Sequence, residues 1–185
     1  MNKYLILLVT LAFLVFSASA QTKTNDAISR QIKTLRAEKT ISLSYDQNSN
    51  VSKLMAVTDN FDGAGSIGIQ AMNFAIGFMY SGQSLAKAPE DMILTFWVLT
   101  KKPRFAANHN LSITGVGVNL DLGAARYVSR TRDNMEYLNF KISRENLAKI
   151  AGESNARIQL GEAGLRFTSS QLKAISDILI LSDSL

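Results

Sequence analysis

Alternation of apolar and polar side chains dominates the chain from residue 41 onward. Residues 41–45 alternate, residues 46–50 form a polar turn cluster, and residues 51–57 resume the extended pattern, which together predict a β-hairpin. The same period of two extends over residues 72–80, and the second face of this segment carries small residues such as Gly77. A helix does not produce an alternation of this length, so the segment predicts a long strand with one small-residue face.

The remaining pattern predicts further strands and then helices. Residues 92–102 have apolar side chains on both faces, which predicts a strand in the interior of a sheet. Residues 111–123 predict one strand with a kink or bulge at its glycines, and residues 125–131 and 135–142 predict a strand pair. After a short helix capped by Ser143 and two short strands, Ser169 is expected to cap a terminal helix. The predicted fold is α+β, a mostly antiparallel sheet of seven to nine strands with a short helix and a C-terminal helix packed on it.

The first twenty residues have the three parts of a secretory signal peptide. Lys3 precedes an apolar run over residues 4–16, and Ala18 and Ala20 provide a small-residue cleavage site. The apolar run is shorter than the roughly 20 residues that a bilayer core requires, which disfavours a membrane anchor. We therefore expect cleavage after Ala20, no stable membrane anchor afterwards, and a secreted or periplasmic protein.

Residues 21–39 predict a polar segment that contains one amphipathic helix. Ile28, Ile32 and Leu35 recur at helical spacing and form a narrow apolar stripe. The stripe fits packing on the edge of this chain's own sheet, and the alternative is pairing with another subunit. The expected organisation is a signal peptide at 1–20, this segment at 21–39 and a single α+β domain at 40–185.

Composition narrows the available chemistry. The 185 residues carry a net charge of +5, no cysteine and one histidine, His109. Cys–His catalysis and a zinc site with several thiolate or imidazole ligands are therefore excluded. An exported chain without disulfides is typical of a bacterial periplasm or cell surface, so we expect a bacterial source. His109 follows an asparagine and precedes another, and it is expected to be a solvated turn residue.

Residues 63–68, GAGSIG, match the G-x-G-x-x-G pattern of dinucleotide-binding turns. That turn requires a strand that runs into it and a helix that starts from it. Here a polar run precedes the glycines, and the segment after them has the period of a strand. We interpret the glycines as a tight loop and predict neither a nucleotide nor any other cofactor. Residues 59–63 also lack the ligand spacing of a helix-loop-helix calcium site, so no metal site is predicted.

Paired carboxylates are a route to catalysis that sequence spacing leaves open, because glycoside hydrolysis needs two acids at a set separation. The candidates, all expected in loops or on a solvent face, are Asp59, Asp62, Asp121 and Glu136. The single tryptophan, Trp97, is expected to be buried in its strand and not to stack on a sugar. The sequence thus identifies no catalytic residue, and a small carboxylate-dependent hydrolase is the alternative to a non-catalytic protein.

Basic residues provide the candidate binding site. The period of two places three arginines on one strand face, Arg126, Arg130 and Arg132, and a second group lies at a strand end: Lys101, Lys102 and Arg104. These side chains are candidates for contact with an anionic polymer, a lipid headgroup or an acidic partner. The interleaving of basic and aromatic residues typical of a nucleic-acid platform is missing, so nucleic acid is not an expected partner.

The C-terminal part of the chain has the clearest organisation. Its segments FKIS, LAKIA, ARIQLG and LRFTSSQLKAI, within residues 140–179, resemble uncharacterised secreted proteins of environmental bacteria. The resemblance implies no activity and assigns no catalytic or ligand residue. The sequence therefore predicts an exported soluble protein of the periplasm or cell exterior that acts by binding or structural contact, with an envelope component or a protein as its partner.

Overall fold

The computed structural model of the chain describes residues 41–58, 60–61, 64–85 and 87–183. The predicted signal peptide and the predicted amphipathic segment, residues 1–20 and 21–39, lie outside these residues. The described part has an α+β fold with two antiparallel sheets and two α-helices, as the sequence predicted in outline. None of its helices is both long and apolar enough to cross a bilayer.

The larger sheet contains six strands: β1 (Ile41–Asp46), β2 (Val51–Thr58), β3 (Ala71–Ser81), β4 (Asp91–Leu99), β7 (Arg126–Arg130) and β8 (Met135–Ser143). Their order across the sheet is β1-β2-β3-β4-β8-β7, and every neighbouring pair is antiparallel. The predicted first hairpin is confirmed as β1 and β2. The strand with two apolar faces, β4, lies in the sheet interior as predicted, and β7 and β8 are the predicted strand pair.

The smaller sheet contains four strands: β5 (Asn110–Thr114), β6 (Asn119–Ala124), β9 (Arg157–Leu160) and β10 (Ala163–Arg166). Their order is β10-β9-β5-β6. Residues 111–123 are thus not one kinked strand but parts of two strands, because Gly115 begins a tight turn by donating its N–H to the Val118 carbonyl at 2.7 Å. The predicted single sheet of seven to nine strands is corrected to ten described strands in two sheets.

Two α-helices lie late in the chain, as predicted: α1 (Arg144–Ala151) and α2 (Ser169–Ser182). Ser143 caps α1, and Gly152 ends it. The cap of α2 is Thr168 and not the predicted Ser169. The Thr168 hydroxyl accepts the Gln171 N–H at 3.2 Å, while the Gln171 side chain accepts the Thr168 N–H at 2.9 Å. This reciprocal pair is a capping box and fixes where the helix begins.

The core lies on one face of the six-stranded sheet, which we call the inner face. Helix α2 packs against β2 and β3, α1 packs against β8, and the smaller sheet contacts the larger one through β6 and β8. One continuous cluster of buried residues joins both sheets and both helices. At its centre, contacting phenylalanine rings have centroids 5.5–6.2 Å apart: Phe61, Phe74, Phe96, Phe140 and Phe167.

The glycine-rich segment before β3 is a tight loop. Its described residues form one 3-10 turn over Ala64–Ile67, and Gly68 then adopts a φ of 78°. Ile69, only 1% exposed, anchors the loop in the core, and β3 follows at Ala71. The prediction of a tight loop leading into a strand is confirmed, because no α-helix starts at these glycines.

Candidate anion-binding groove

The outer face of the six-stranded sheet is opposite the packed core, and we call it the open face. Residues that pair across antiparallel strands share a face, so the open-face side chains form rows across the sheet. The rows are Met55, Gly77, Ile93 and Lys141, then Val57, Ala75, Thr95, Asn139 and Arg126, and then Asn73, Trp97, Tyr137 and Val128. Apolar, aromatic and cationic side chains therefore meet on this face.

A groove with a volume of about 520 Å³ lies on the open face. Its floor is low at Gly77 on β3, and the larger side chains of Met55 and Ile93 stand on the two neighbouring strands. A Cβ at Gly77 would lie 2.2 Å from the Leu54 carbonyl oxygen and 2.8 Å from Met55 Cγ. The small-residue face that the sequence predicts for β3 thus contributes the floor of this open-face groove.

The open-face groove continues along the sheet over a second hollow of about 540 Å³, which includes Trp97 and Met135. Trp97 is half-buried, and the strand pleat turns its side chain to the open face, so the expected burial within the strand is corrected. The Thr95 hydroxyl donates to Asn139 Oδ1 at 2.9 Å, which orients the amide beside the aromatic residues. The groove therefore offers aromatic surface and one fixed amide.

Four cationic side chains and no acidic side chain line the 520 Å³ groove. Lys141 is paired with Asp91, whose carboxylate oxygen lies 2.8 Å from the Lys141 amine. The other three, Lys53, Arg126 and Arg130, form no ion pair with any described residue. A partly apolar groove bordered by unpaired cations suits a ligand that joins an anionic group to an apolar body.

The structure separates the three arginines that the sequence grouped on one strand face. Arg126 and Arg130 lie on β7 and line the open-face groove. The guanidinium carbon of Arg130 is 5.1 Å from the centroid of the Tyr137 ring, a cation–π contact. Arg132 lies beyond the end of β7, in a 3-10 turn over residues 131–133, so the period of two does not reach it. Arg132 is not among the residues lining the groove.

The two candidate carboxylates that the structure describes, Asp121 and Glu136, do not form a pair. Asp59 and Asp62 lie outside the described residues. Asp121 is exposed, as expected, and accepts the Gly123 N–H at 2.9 Å. Glu136 is buried on the inner face of β8, 1% exposed, and does not lie on a solvent face as predicted. Of five grooves formed by described residues, none has two carboxyl side chains in its lining.

Both oxygens of the Glu136 carboxylate accept hydrogen bonds within the protein. Its Oε1 accepts the Phe105 N–H at 2.9 Å and the Tyr127 hydroxyl at 2.8 Å. Its Oε2 accepts the Arg104 N–H at 2.9 Å, and it lies 3.2 Å from the Thr100 hydroxyl oxygen, whose proton is directed to the nearer Lys102 carbonyl. Because three donors hold the two oxygens, the carboxylate fastens the backbone at Arg104 and Phe105 to the sheet.

His109 and Tyr127 extend this buried arrangement. Burial raises the pKa of the Tyr127 phenol, and its hydrogen bond to Glu136 raises that pKa further. The His109 ring stacks on Tyr127 with centroids 5.4 Å apart, and its Nδ1 lies 3.1 Å from the Phe105 carbonyl oxygen. His109 is therefore half-buried and packed, not a solvated turn residue. Among the described residues, no three His, Cys, Asp or Glu side chains converge as a metal site.

Sequence reasoning missed Lys53, Met55 and Tyr137 as members of the open-face groove. The alternation of β2 and β8 carries the signal that these side chains face away from the core. What the sequence lacks is the strand order, which brings β2 and β7 to opposite borders of one groove. No protein-family model, curated protein or solved structure matches the chain.

Proposed function

We propose that this chain is an exported, non-catalytic binding protein that takes a small anionic amphiphile in the open-face groove. The observation that carries the proposal is the set of three unpaired cations, Lys53, Arg126 and Arg130, around a floor formed by Met55 and neighbouring apolar residues. The amphiphile is of the alkyl carboxylate or alkyl phosphate class. The signal-like pattern of residues 1–20 supports export.

The charge distribution supports one orientation of the ligand. Two of the three unpaired cations, Arg126 and Arg130, lie on β7, so the anionic head group binds at that border of the groove. The apolar body then extends across the sheet toward Ile93 and Met55, over the low floor at Gly77. Burial of each methylene group contributes about 0.8 kcal/mol when it is complete, so the apolar part provides most of the affinity.

The hydrolase alternative has no observation of its own in its favour. Glu136 is buried and accepts three hydrogen bonds within the protein, and Asp121 faces solvent on the smaller sheet. A hydrolase of the glycosidase class needs two carboxyl groups about 5–9.5 Å apart on either side of a substrate. No acidic side chain lines the open-face groove, which favours binding over hydrolysis.

Trp97 provides a direct test, because it is the only tryptophan in the chain and lies on the open face. Titration with decanoate below its micelle concentration should change Trp97 emission to a saturating value, and high salt should weaken the response. Decanol and decyltrimethylammonium should bind more weakly, because neither places an anion beside the arginines. Equal responses to all three, or no saturation with decanoate, would contradict the proposal.

Substitution of single arginines tests where the anionic group of the ligand binds. Arg126→Gln should weaken decanoate binding by about two- to fivefold, the range expected when one exposed charge interaction is lost. Arg157→Gln is the matched control, since Arg157 is an exposed arginine on the smaller sheet. Equal weakening by both variants would show that only net charge matters and would remove the assignment of Arg126.

A further inference from the structure

A second cationic surface lies at one end of the six-stranded sheet, where the loop before β3 meets the loop after β4. We call it the cationic groove; its volume is about 800 Å³, and its lining includes Gly65, Gly68, Gln70, Lys101, Lys102 and Arg104. All three cations are exposed, and none forms an ion pair with a described residue. No acidic side chain is among the described residues that line it.

The loop that carries these cations is fixed in place. Glu136 accepts the N–H groups of Arg104 and Phe105, and the Phe105 side chain is 1% exposed. The Thr100 hydroxyl donates to the Lys102 carbonyl at 2.7 Å. A cation-bearing loop held this way loses little backbone freedom when it binds, so more of the attraction appears as affinity.

The opposite wall of the cationic groove is glycine-rich and joined to the same loop. The Gln70 N–H donates to the Leu99 carbonyl at 3.0 Å, which ties the two walls together. A Cβ at Gly65 would meet nothing within 4 Å, and one at Gly68 would come no closer than 3.6 Å to the Arg104 guanidinium. At these two glycines the wall therefore leaves space beside the Arg104 guanidinium.

The lining distinguishes between classes of anionic partner. None of the exposed large hydrophobic residues of the described chain lines the cationic groove. Its apolar lining consists of the buried Ile69 and of Pro103, so its described residues offer no large apolar side chain to insert into a lipid surface. It also has no aromatic residue on which a nucleic-acid base would stack. Three adjacent cations and a glutamine in an open channel instead match a flexible chain with regularly spaced anionic groups and many hydroxyls.

We propose that the cationic groove binds a linear anionic polysaccharide, with Lys101, Lys102 and Arg104 contacting successive acidic groups along the chain. The groove shares no lining residue with the open-face groove, so the two sites bind separate ligands. The polysaccharide site therefore stands independently of the amphiphile site.

Polygalacturonate, whose charges are all carboxylates, is the probe. The purified protein should bind it at low salt and lose binding as salt is raised, and it should not bind neutral dextran. Lys101→Gln combined with Lys102→Gln should weaken polygalacturonate binding at least about tenfold, which corresponds to 1.4 kcal/mol. The matched control is Arg157→Gln combined with Arg166→Gln, which removes the same charge from an exposed pair on the smaller sheet and should keep near wild-type affinity.

Three results would overturn the proposal. Equal weakening by the two double variants would mean that net charge alone drives binding. Tighter binding to single-stranded DNA or to anionic vesicles than to polygalacturonate would assign the groove to another class of partner. Unchanged affinity of the folded Lys101 and Lys102 double variant, with its fold checked by circular dichroism, would place the site elsewhere. The same variant should retain decanoate binding, so failure at one site is distinguishable from failure at the other.

Discussion

At the scale of single residues, the position of the cationic loop depends on Glu136, whose carboxylate accepts two N–H groups of that loop. Glu136→Gln should lower the free energy of unfolding by about 2–3 kcal/mol, because an amide cannot accept at both of its terminal atoms and a buried donor is left unpaired. Chemical denaturation measures this. Glu162→Gln, at an exposed turn residue, is the control and should change stability by less than about 0.5 kcal/mol. A wild-type stability for Glu136→Gln would contradict the role of the carboxylate.

Tyr127 predicts how stability depends on pH. Burial and the Glu136 hydrogen bond raise its pKa in the folded state above the unfolded value of about 10. The neutral phenol therefore stabilises the fold fully below that unfolded pKa, and this stabilisation is lost as pH rises through the folded pKa. Melting temperatures should be measured from pH 8 upward, at intervals of about half a pH unit. They should fall less steeply with pH for Tyr127→Phe than for the wild type. Tyr45→Phe, at a side chain that is 39% exposed, should keep the wild-type slope; identical slopes for all three proteins would refute the assignment.

Sequence reasoning placed a side chain on the correct face of its strand where the period of two alone decides that face. Arg126 and Arg130 face the same way because they are four apart on one strand. Glu136 and Trp97 were misplaced for a common reason. Each faces the side set by its strand's alternation, but hydrophobicity suggested the opposite side: a glutamate was expected in solvent and a tryptophan in the core. Only the neighbouring structure explains these placements: Glu136 accepts N–H groups of a loop, and no other described element packs over the face that carries Trp97.

At the scale of elements, the pairing of β2 and β3 requires a residue without a side chain at Gly77. Gly77→Ala should destabilise the protein by about 1–3 kcal/mol, because its Cβ would collide with the Leu54 carbonyl and force the strands apart. The same variant should weaken decanoate binding by raising the groove floor. Gly65→Ala, where a Cβ meets nothing within 4 Å, is the control for thermal stability. Equal melting temperatures for the two variants would show that the contact is tolerated.

The start of α2 offers a test between two neighbouring hydroxyl residues. Thr168→Ala should lower stability by about 1 kcal/mol, because Thr168 is the cap and accepts the Gln171 N–H. Ser169→Ala removes a hydroxyl one position later, where the helix has already begun, and should be close to neutral. Thermal or urea denaturation of both variants decides the matter. A larger effect at Ser169 would restore the cap that the sequence predicted.

The elements themselves were largely predictable, and their partition into sheets was not. Alternation located β1, β2, β3, β7 and β8 because each has one side against the core, and apolar residues on both faces located β4. The β5–β6 hairpin was missed because its short turn is stabilised by a residue far away in the sequence. Glu153 accepts the N–H groups of Val116 and Gly117 at 3.0 and 2.6 Å. A stabilising partner thirty or more residues away leaves no trace in the local pattern.

At the scale of the whole molecule, both sheets and both helices share one continuous core, so we expect the described domain to unfold as a unit. The fluorescence emission of Trp97 reports the unfolding of the six-stranded sheet, whereas far-ultraviolet circular dichroism reports the loss of all the secondary structure. The two signals should have coincident transitions in urea. Separate midpoints would show that the four-stranded sheet opens independently. The Tyr127→Phe variant, which removes the hydrogen bond from the Tyr127 hydroxyl to Glu136, provides a comparison in which the two midpoints should shift together.

The strand order has a consequence for the kinetics of folding. Strands β1 to β4 form a meander of near neighbours, and β7 and β8 form a local hairpin, whereas β4 and β8 join segments far apart in the chain, with Asp91 opposite Ser143. Closing that long loop costs more entropy than closing the hairpins, so β4–β8 pairing should be among the last steps. Because the open-face groove spans this seam, from Met55 on one side to Arg126 on the other, a refolding chain should acquire its ligand affinity only in the slowest phase.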